Sequence, residues 1–343
     1  MVLETVQLIR DGLRFLGFFE WFKYFQKSIW NLLHNEGNTE SMGFKHLSSM
    51  SPKEAGDFLD SFDTVISDCD GVLWNNGPIA GVAETMAKLE AIGKNVYFLS
   101  NNSTKKYQTY VKQFQEVSIS LKPENLIHPG ITIVEYLKEI GFKKKAFCIA
   151  TSMFLELLVA GGIDCCTAGG SCQEDLKWFL ENSTDDPEVG AVIIDFDINV
   201  NYLKISKALS ILQRPDVLFI VGATDTTIPV PNRPNFIGPG PFVKMISELS
   251  GRQPMIMGKP SLYLKILISR LFKISDPKRT LIIGDTLDND MAFGYLCGFQ
   301  KLLVLTGDSV LEDVLAAKDE HRPDFLIETL GHMKDVIENS KLQ

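Results

Sequence analysis

The chain contains 343 residues, of which 45% are hydrophobic and 22% are charged, a composition typical of a globular protein with a large core. Its net charge of −9 at pH 7, without a basic stripe, argues against nucleic acid as a partner. No run approaches about 20 uninterrupted apolar residues, so a membrane-spanning helix is not expected. The six cysteines show no Cys-x-x-Cys spacing, which favours a reducing, cytoplasmic location.

Residues 1–45 have the pattern of a separate N-terminal extension. The stretch 8–33 is rich in aromatic residues and predicts one or two amphipathic helices, and residues 35–41 are typical of a linker. Three interpretations remain open: a helix packed on the core or on another subunit, a helix that contacts a membrane surface, or an organelle-targeting segment. Three acids among the first twenty residues argue against a transit peptide, which is usually poor in acids.

From about residue 62 onward, segments with strand-like and helix-like patterns alternate. Such alternation predicts right-handed βαβ units and a Rossmann-like parallel sheet, which is an α/β fold. The core is predicted to comprise residues 46–142 and 254–343. Its predicted strands are 62–67, 95–100, 281–284 and 301–305, and its predicted helices are 82–92, 131–140 and 310–317.

Residues 143–253 interrupt this core with a long insertion. At about 110 residues it is too long for a loop, so it is predicted to be an α/β domain in its own right. Its predicted strands are 146–150, 191–194 and 218–221, and its predicted helices are 154–161 and 202–212.

Two carboxylates stand at the end of the first predicted core strand, in the sequence Asp68-Cys69-Asp70-Gly71. Side chains alternate along a strand, so Asp68 and Asp70 are expected to point the same way, and Gly71 lets the chain turn. A close pair of acids is costly unless a cation or a shared proton relieves the repulsion. The pair therefore suggests Mg²⁺, a hard ion that binds few carboxylates together with water and phosphate.

Three other predicted strands also end in polar residues: Ser100-Asn101-Asn102 after one, Lys259 after another, and Asp285 after the third. In open parallel sheets the site lies at the carboxyl ends of the strands, so we expect the four groups to meet. Each has an ordinary alternative when taken singly, such as a helix cap for Ser100 or a solvated side chain for Lys259. The prediction therefore depends on their combination and order along the chain.

This ordered set resembles the haloacid dehalogenase superfamily, and more narrowly the subgroup that contains phosphoglycolate phosphatase, pyridoxal phosphatase and 4-nitrophenyl phosphatases. The resemblance runs from about residue 47 to about residue 335. It implies a core with a large inserted α/β cap and a Mg²⁺-dependent phosphatase that acts on a small phosphorylated metabolite through a covalent aspartyl-phosphate. Relatives of this kind often dimerise through the cap, so a homodimer is a reasonable expectation.

The resemblance also implies roles for individual residues. Asp68 is the expected nucleophile, and Asp70 is the expected general acid and base. Lys259 and Ser100 are expected to stabilise and hold the phosphate oxygens. The Mg²⁺ site is assigned to Asp68, the backbone carbonyl of Asp70 and Asp285, with Asp290 supporting it from behind. The remaining substrate contacts are assigned to Gly71, Asn101 and Asn102.

The chain departs from the subgroup at several positions. Thr286 stands where relatives usually carry arginine, and Asn199 stands where they often carry histidine. In the cap, Asp225 stands where relatives often carry asparagine, and Thr227 stands where they often carry an acid. Asp195 and Asp197 follow a predicted cap strand but lack the glycine that follows Asp70, so they are not assigned to catalysis. These departures leave the substrate open. They also leave two alternatives: a phosphotransferase that uses an acceptor alcohol, and a catalytically silent scaffold protein.

Overall fold

The computed structural model describes residues 43–169, 175–228 and 234–341. The predicted amphipathic helices and the linker of the N-terminal extension lie outside the described residues, so both stay predictions. None of the described helices is long and apolar enough to cross a bilayer.

Strands and helices alternate along the described chain. The strands within the described residues are β1 (Lys45–His46), β2 (Thr64–Ser67), β3 (Asn95–Leu99), β4 (Leu126–Ile127), β5 (Lys145–Ile149), β6 (Cys165–Cys166), β7 (Val189–Ile194), β8 (Leu218–Val221), β9 (Thr227–Ile228), β10 (Phe236–Ile237), β11 (Met255–Ile256), β12 (Thr280–Gly284), β13 (Gln300–Val304) and β14 (Phe325–Ile327). The α-helices there are α1 (Pro52–Asp60), α2 (Val82–Ala91), α3 (Tyr107–Glu116), α4 (Pro129–Glu139), α5 (Ser152–Ala160), α6 (Leu176–Asn182), α7 (Tyr202–Leu212), α8 (Gly240–Ser250), α9 (Leu262–Leu271), α10 (Ala292–Cys297), α11 (Leu311–Ala316) and α12 (Met333–Asn339).

The larger sheet contains seven parallel strands in the order β1-β14-β13-β12-β2-β3-β4. Alternate residues of β2 enter two apolar clusters, since Val65 packs on one face of the sheet and Ile66 on the other. The register places Ser67 of β2 beside Ile283 of β12 and Phe98 of β3. The ends of these three strands therefore lie side by side at one edge of the sheet.

The smaller sheet contains five parallel strands in the order β11-β8-β7-β5-β6. Its central strand β7 is buried along its whole length, and apolar clusters cover both faces. Its last strand, β11, pairs with β8 although it lies beyond residue 253, where the predicted insertion ends. A strand's own sequence does not specify its pairing partner, so this pairing could not be predicted. The α/β class with parallel sheets is confirmed, and the domain limits stay a prediction.

The predicted elements are present, with ends that differ from the prediction by two residues or fewer. Helix α7 and strand β8 have the predicted limits. Helix α4 begins at Pro129, two residues early, because the fixed φ angle of proline suits the first helical turn. The short edge strands β1 and β4 were not predicted. A strand of two residues is too short to show an alternating apolar pattern in the sequence.

Candidate active site

Lys259 and Asp68 form a buried ion pair at the end of β2. The Lys259 Nζ atom lies 3.0 Å from Asp68 Oδ1 and 2.6 Å from Asp290 Oδ1, and it also donates to the Leu99 carbonyl. Burial by itself lowers the pKa of Lys259, but the two carboxylates outweigh burial and raise the pKa above its usual range. The lysine is therefore a fixed positive charge beside the carboxylate that is predicted to attack phosphorus.

Lys259 reaches this position from the smaller sheet, because it follows strand β11 after a short link. The Asn101 side chain joins it to the larger sheet. Asn101 Oδ1 accepts a hydrogen bond from the Lys259 amide at 2.7 Å, and Asn101 Nδ2 donates to the Lys259 carbonyl at 3.0 Å. Since both polar atoms of Asn101 are used in this way, its geometry supports a positioning role, and its predicted substrate contact stays a prediction.

Three carboxylates converge beside the lysine, since Asp68, Asp285 and Asp290 each offer an oxygen within 4.8 Å of the others. Burial raises the pKa of Asp68 to about 7, an effect that Lys259 opposes and Asp290 increases. Burial also raises the pKa of Asp285 to about 8, and the charges of Asp290 and Asp68 add to this shift. Such crowding favours a bound cation, and an all-oxygen donor set is suited to a hard divalent metal.

Asp290 differs from the other two acids because its oxygens already have partners. Its Oδ1 atom accepts from Lys259, and its Oδ2 atom accepts from the amide and the hydroxyl of Thr286. Thr286, which stands where the resemblance predicts an arginine, thus holds Asp290 in place at the start of a π-helical turn, Leu287–Met291. This arrangement is consistent with the predicted supporting role of Asp290.

Gly71 gives Asp285 room to approach. The φ angle of Gly71 is +79°, and a Cβ atom there would lie 2.4 Å from Asp285 Oδ2. A Cβ atom on Gly307, from the other side, would lie 1.7 Å from the same oxygen. The Asp308 amide donates to that oxygen at 3.0 Å. The structure therefore gives Gly71 a steric role beside the predicted metal site, and its predicted contact with substrate stays a prediction.

The Asp70 carboxylate points to a different set of partners. Its Oδ1 atom accepts from Trp74 Nε1 and from Lys105 Nζ, both at 2.8 Å, and its Oδ2 atom lies 3.4 Å from Asn102 Nδ2. Lys105 also lies over the rings of Trp74 and Tyr110. Sequence reasoning missed Lys105 and Trp74 as partners of Asp70. Trp74 lies within the quoted motif, but a lysine in a loop is usually a solvated side chain.

Ser100 begins the loop after β3 and is almost fully buried. Its Oγ atom accepts from the Asn102 amide at 3.0 Å and lies 3.2 Å from the Tyr110 hydroxyl. The single hydroxyl hydrogen of Tyr110 is donated to the Asn102 carbonyl, which fixes the loop against α3. Ser100 Oγ accepts from the Asn102 amide, and its own hydrogen can be donated either to the Tyr110 oxygen or to a bound phosphate oxygen.

These groups open into a cavity of about 910 Å³ between the two sheets. The described residues on its floor include the four groups predicted to meet: Asp68 and Asp70, Ser100, Lys259, and Asp285. We call these five residues the catalytic edge. The opposite side, which we call the cap wall, is formed by four residues that follow strands β7 and β8 of the smaller sheet and by one residue of β10, which pairs with β9 in a separate two-stranded sheet: Asp195, Phe196, Ile198, Asp225 and Phe236.

Comparison with known proteins supplies the family. A family model described as haloacid dehalogenase-like hydrolase matches residues 65–164, and one described as HAD-hydrolase-like matches residues 256–333. A 4-nitrophenylphosphatase from Schizosaccharomyces pombe is 34% identical over 297 residues, which cover 83% of this chain and 97% of that protein. This chain belongs to the haloacid dehalogenase superfamily. The predicted resemblance is thereby confirmed.

Two further similarities extend this result. Phosphoglycolate phosphatase 1A, chloroplastic, from Arabidopsis thaliana is 31% identical over 287 residues, covering 81% of this chain and 78% of that protein. The crystal structure of a 4-nitrophenylphosphatase from Thermotoga maritima has the same fold, with a TM-score of 0.68 and 23% identity, covering 81% of this chain and 98% of that one. The predicted enzyme class, a phosphoric monoester hydrolase, is confirmed at the level of the family.

Proposed function

We propose that this chain hydrolyses a small phosphate monoester through an aspartyl-phosphate on Asp68, with Mg²⁺ as its metal. The observation that carries the proposal is the buried contact between Lys259 Nζ and Asp68 Oδ1 at 3.0 Å, beside two further acids. A lysine in this position holds Asp68 ionised and neutralises part of the charge on an incoming phosphate. Asp68 is thereby prepared as a nucleophile in a site that would otherwise favour its protonated form.

In the first step, an Asp68 oxygen forms a bond to phosphorus while the bond from phosphorus to the ester oxygen breaks. The leaving alkoxide takes a proton from Asp70 and departs as an alcohol. In the second step, Asp70 removes a proton from a water molecule whose oxygen attacks phosphorus. The bond from phosphorus to Asp68 then breaks, which releases inorganic phosphate and regenerates the carboxylate.

The proton-transfer role of Asp70 is supported by its separate set of hydrogen bonds. Trp74 and Lys105 hold one of its oxygens, so the carboxylate is fixed apart from the three crowded acids. Ser100 is proposed to hold a phosphate oxygen through its hydroxyl, and Asn102 to orient Asp70 through its amide group.

The metal would be held by the carboxylates of Asp68 and Asp285 and by the backbone carbonyl of Asp70, with Asp290 behind them. When bound, a divalent cation offsets the negative charge that these acids share with the phosphate. This role for Asp285 is supported by the room that Gly71 and Gly307 leave for its carboxylate, and by its second oxygen, which accepts no hydrogen bond from the described residues.

The proposal is tested by phosphate release from 4-nitrophenyl phosphate, with Mg²⁺ and with excess chelator. A single turnover with ³²P-labelled substrate, quenched in acid, should trap labelled protein, and peptide mapping should place the label at Asp68. Added glycerol should leave the yield of free phosphate unchanged, whereas a phosphotransferase would transfer the label to glycerol. Release without Mg²⁺, or a label on another residue, would contradict the mechanism.

We also propose a homodimer formed through the cap and a cytoplasmic location. The dimer is supported by exposed apolar side chains on α6 and α7, namely Leu176, Leu180 and Tyr202. Light scattering of the protein and of a Leu180→Glu Tyr202→Glu variant tests it, with Ile266→Glu on the core as a control. A monomeric wild-type protein would contradict the dimer. The cytoplasmic location is supported by the cysteines, since every cysteine among the described residues is free of a disulfide bond.

A further inference from the structure

The cap wall carries two acids that have no cation. Asp195 follows β7, and Asp225 lies in the loop after β8, so both occupy carboxyl ends of strands in the smaller sheet. Both residues line the cavity that contains the catalytic edge. Within the described residues, neither forms an ion pair with a lysine, arginine or histidine, in contrast to nearby Asp197, which pairs with Lys204 at 2.6 Å.

Asp195 is 4% exposed, and only one of its oxygens has partners. Asp195 Oδ1 accepts from the Ser103 hydroxyl at 2.5 Å and from the Phe196 amide at 2.7 Å, whereas Oδ2 has no hydrogen-bond partner. A Cβ atom on Gly222 would lie 1.8 Å from Oδ2, so this oxygen is enclosed against the Gly222 backbone and acts on the cavity through its charge, not through a direct hydrogen bond. A buried carboxylate with an unused oxygen is costly unless something bound nearby compensates for it.

Asp225 extends the same negative region toward the core. Its Oδ1 atom accepts from the Asn289 amide group at 3.0 Å, which leaves Oδ2 without a hydrogen bond to the described protein. Burial raises the pKa of Asp195 to about 6, and the neighbouring charge of Asp225 contributes to that shift, so the two carboxylates repel each other electrostatically. Negative charge thus accumulates on the side of the cavity that faces the leaving group.

The basic residues of the described cavity do not offset this charge. Among the described residues that line it, Lys259 is the only lysine or arginine, and its charge is shared by Asp68 and Asp290. The rest of the cap wall is apolar, with Phe196, Ile198 and Phe236 beside the acids. A leaving group with a carboxylate would meet repulsion here, whereas a cationic nitrogen would meet attraction.

We propose that the preferred substrate is a phosphate monoester whose leaving group carries an ammonium group, recognised by Asp195 and Asp225. The proposal rests on the phosphatase function proposed above and names the class of leaving group that the cavity selects. The phosphate binds at the catalytic edge, the ammonium group faces the two acids, and carbon atoms of the leaving group contact the apolar part of the cap wall.

The test compares three small esters that differ in the charge of the leaving group: phosphoethanolamine, glycerol 3-phosphate and 2-phosphoglycolate. At constant free Mg²⁺, kcat/KM is expected to fall in that order, by at least about tenfold between the first and the last. Asp195→Asn and Asp225→Asn should each reduce the ratio between the first and the last by about tenfold. Asp216→Asn, which removes an exposed acid elsewhere on the cap, should leave the ratio unchanged.

The variants separate charge from hydrogen bonding. Asn at position 195 keeps an acceptor for the Ser103 hydroxyl, and Ser103→Ala removes that bond while the carboxylate stays. The proposal is overturned if 2-phosphoglycolate is preferred, or if Ser103→Ala alters the ratio as much as Asp195→Asn does.

Failure of the proposed function gives a different result. If no ester is hydrolysed, titration calorimetry of phosphoethanolamine and 2-phosphoglycolate against the folded protein still measures recognition. Tighter binding of phosphoethanolamine, weakened by Asp225→Asn, would support the charge selection without catalysis. Equal or weaker binding would overturn the charge selection, whatever the outcome for catalysis.

Discussion

The catalytic edge and the cap wall border the same cavity, but their acids differ in whether a lysine pairs with them. At the catalytic edge, Lys259 contacts Asp68 and Asp290, and Asp70 has Lys105. On the cap wall, Asp195 and Asp225 have only neutral donors. The ion pairs hold the side chains of the catalytic edge in position before any substrate binds, which suits a reaction that is the same for every phosphate ester. The unpaired groups are instead suited to a contact that only one class of leaving group supplies.

The departures from related sequences fall on both sides of this comparison. Beside the catalytic edge, Thr286 stands where relatives are expected to carry arginine. It donates two hydrogen bonds to Asp290, so local hydrogen bonds compensate for the change. On the cap wall, Asp225 stands where relatives are expected to carry asparagine and Thr227 where they are expected to carry an acid, so the negative charge lies at a different position, without a matching cation among the described residues. A change of the first kind preserves the chemistry, whereas a change of the second kind alters what the cavity accepts.

The largest expected effect comes from removing Asp68, the proposed nucleophile. Asp68→Asn should lower kcat by at least about 10⁴-fold, because the amide does not form the covalent intermediate. The measurement is release of 4-nitrophenol, beside a thermal unfolding curve that shows the variant is folded. If most of the activity survives in the folded variant, the covalent mechanism at the catalytic edge is wrong.

Loss of the proposed metal ligand should have the next largest effect. Asp285→Asn should lower kcat/KM by at least about 100-fold and raise the Mg²⁺ concentration needed for half-maximal rate, because one anionic donor is gone. Asp288→Asn is the matched control, since its side chain is 88% exposed in the same loop. Similar Mg²⁺ titrations for the two variants would exclude Asp285 from the metal site.

Removing Lys105 should have a smaller effect that depends on the leaving group. Lys105→Met frees one side of Asp70, so kcat for an alkyl phosphate should fall about 10-fold to 100-fold. The loss should be smaller with 4-nitrophenyl phosphate, because nitrophenolate departs without needing a proton. Lys106→Met, which removes a neighbouring lysine paired with Glu156, is the control. An equal loss with both esters would indicate a structural role for Lys105.

The last prediction concerns stability instead of activity and tests the cap wall without catalysis. Burial raises the folded-state pKa of Asp195 from 3.8 to about 6, so the folded protein binds this proton more tightly than the unfolded chain. Its contribution to stability therefore falls as the pH rises from 4 to 6. At pH 8, Asp195→Asn should increase the free energy of unfolding by about 3 kcal/mol. Urea unfolding should show this gain shrinking toward pH 4, and a gain that is independent of pH would refute the assignment.

The chemistry of the site is largely readable from the sequence because it depends on residues at strand ends. Asp68, Ser100 and Asp285 each follow a strand of strong apolar pattern, and three parallel neighbours bring them together. Lys259 was also predicted at the site, although its strand belongs to the other sheet. Its motif gives its place in the site, but not the route by which it arrives.

Other features were decided only by tertiary structure. The partners of Asp70 and the use of Asn101 to hold Lys259 join segments that carry no mark of each other in the sequence. Asp195 gives no signal of its own, since an acid after a strand is usually solvated. Its burial, its single pair of donors and its place beside the cavity follow from how the two sheets face each other. Local patterns determine which groups end each strand, whereas long-range packing determines which of their charges remain unpaired.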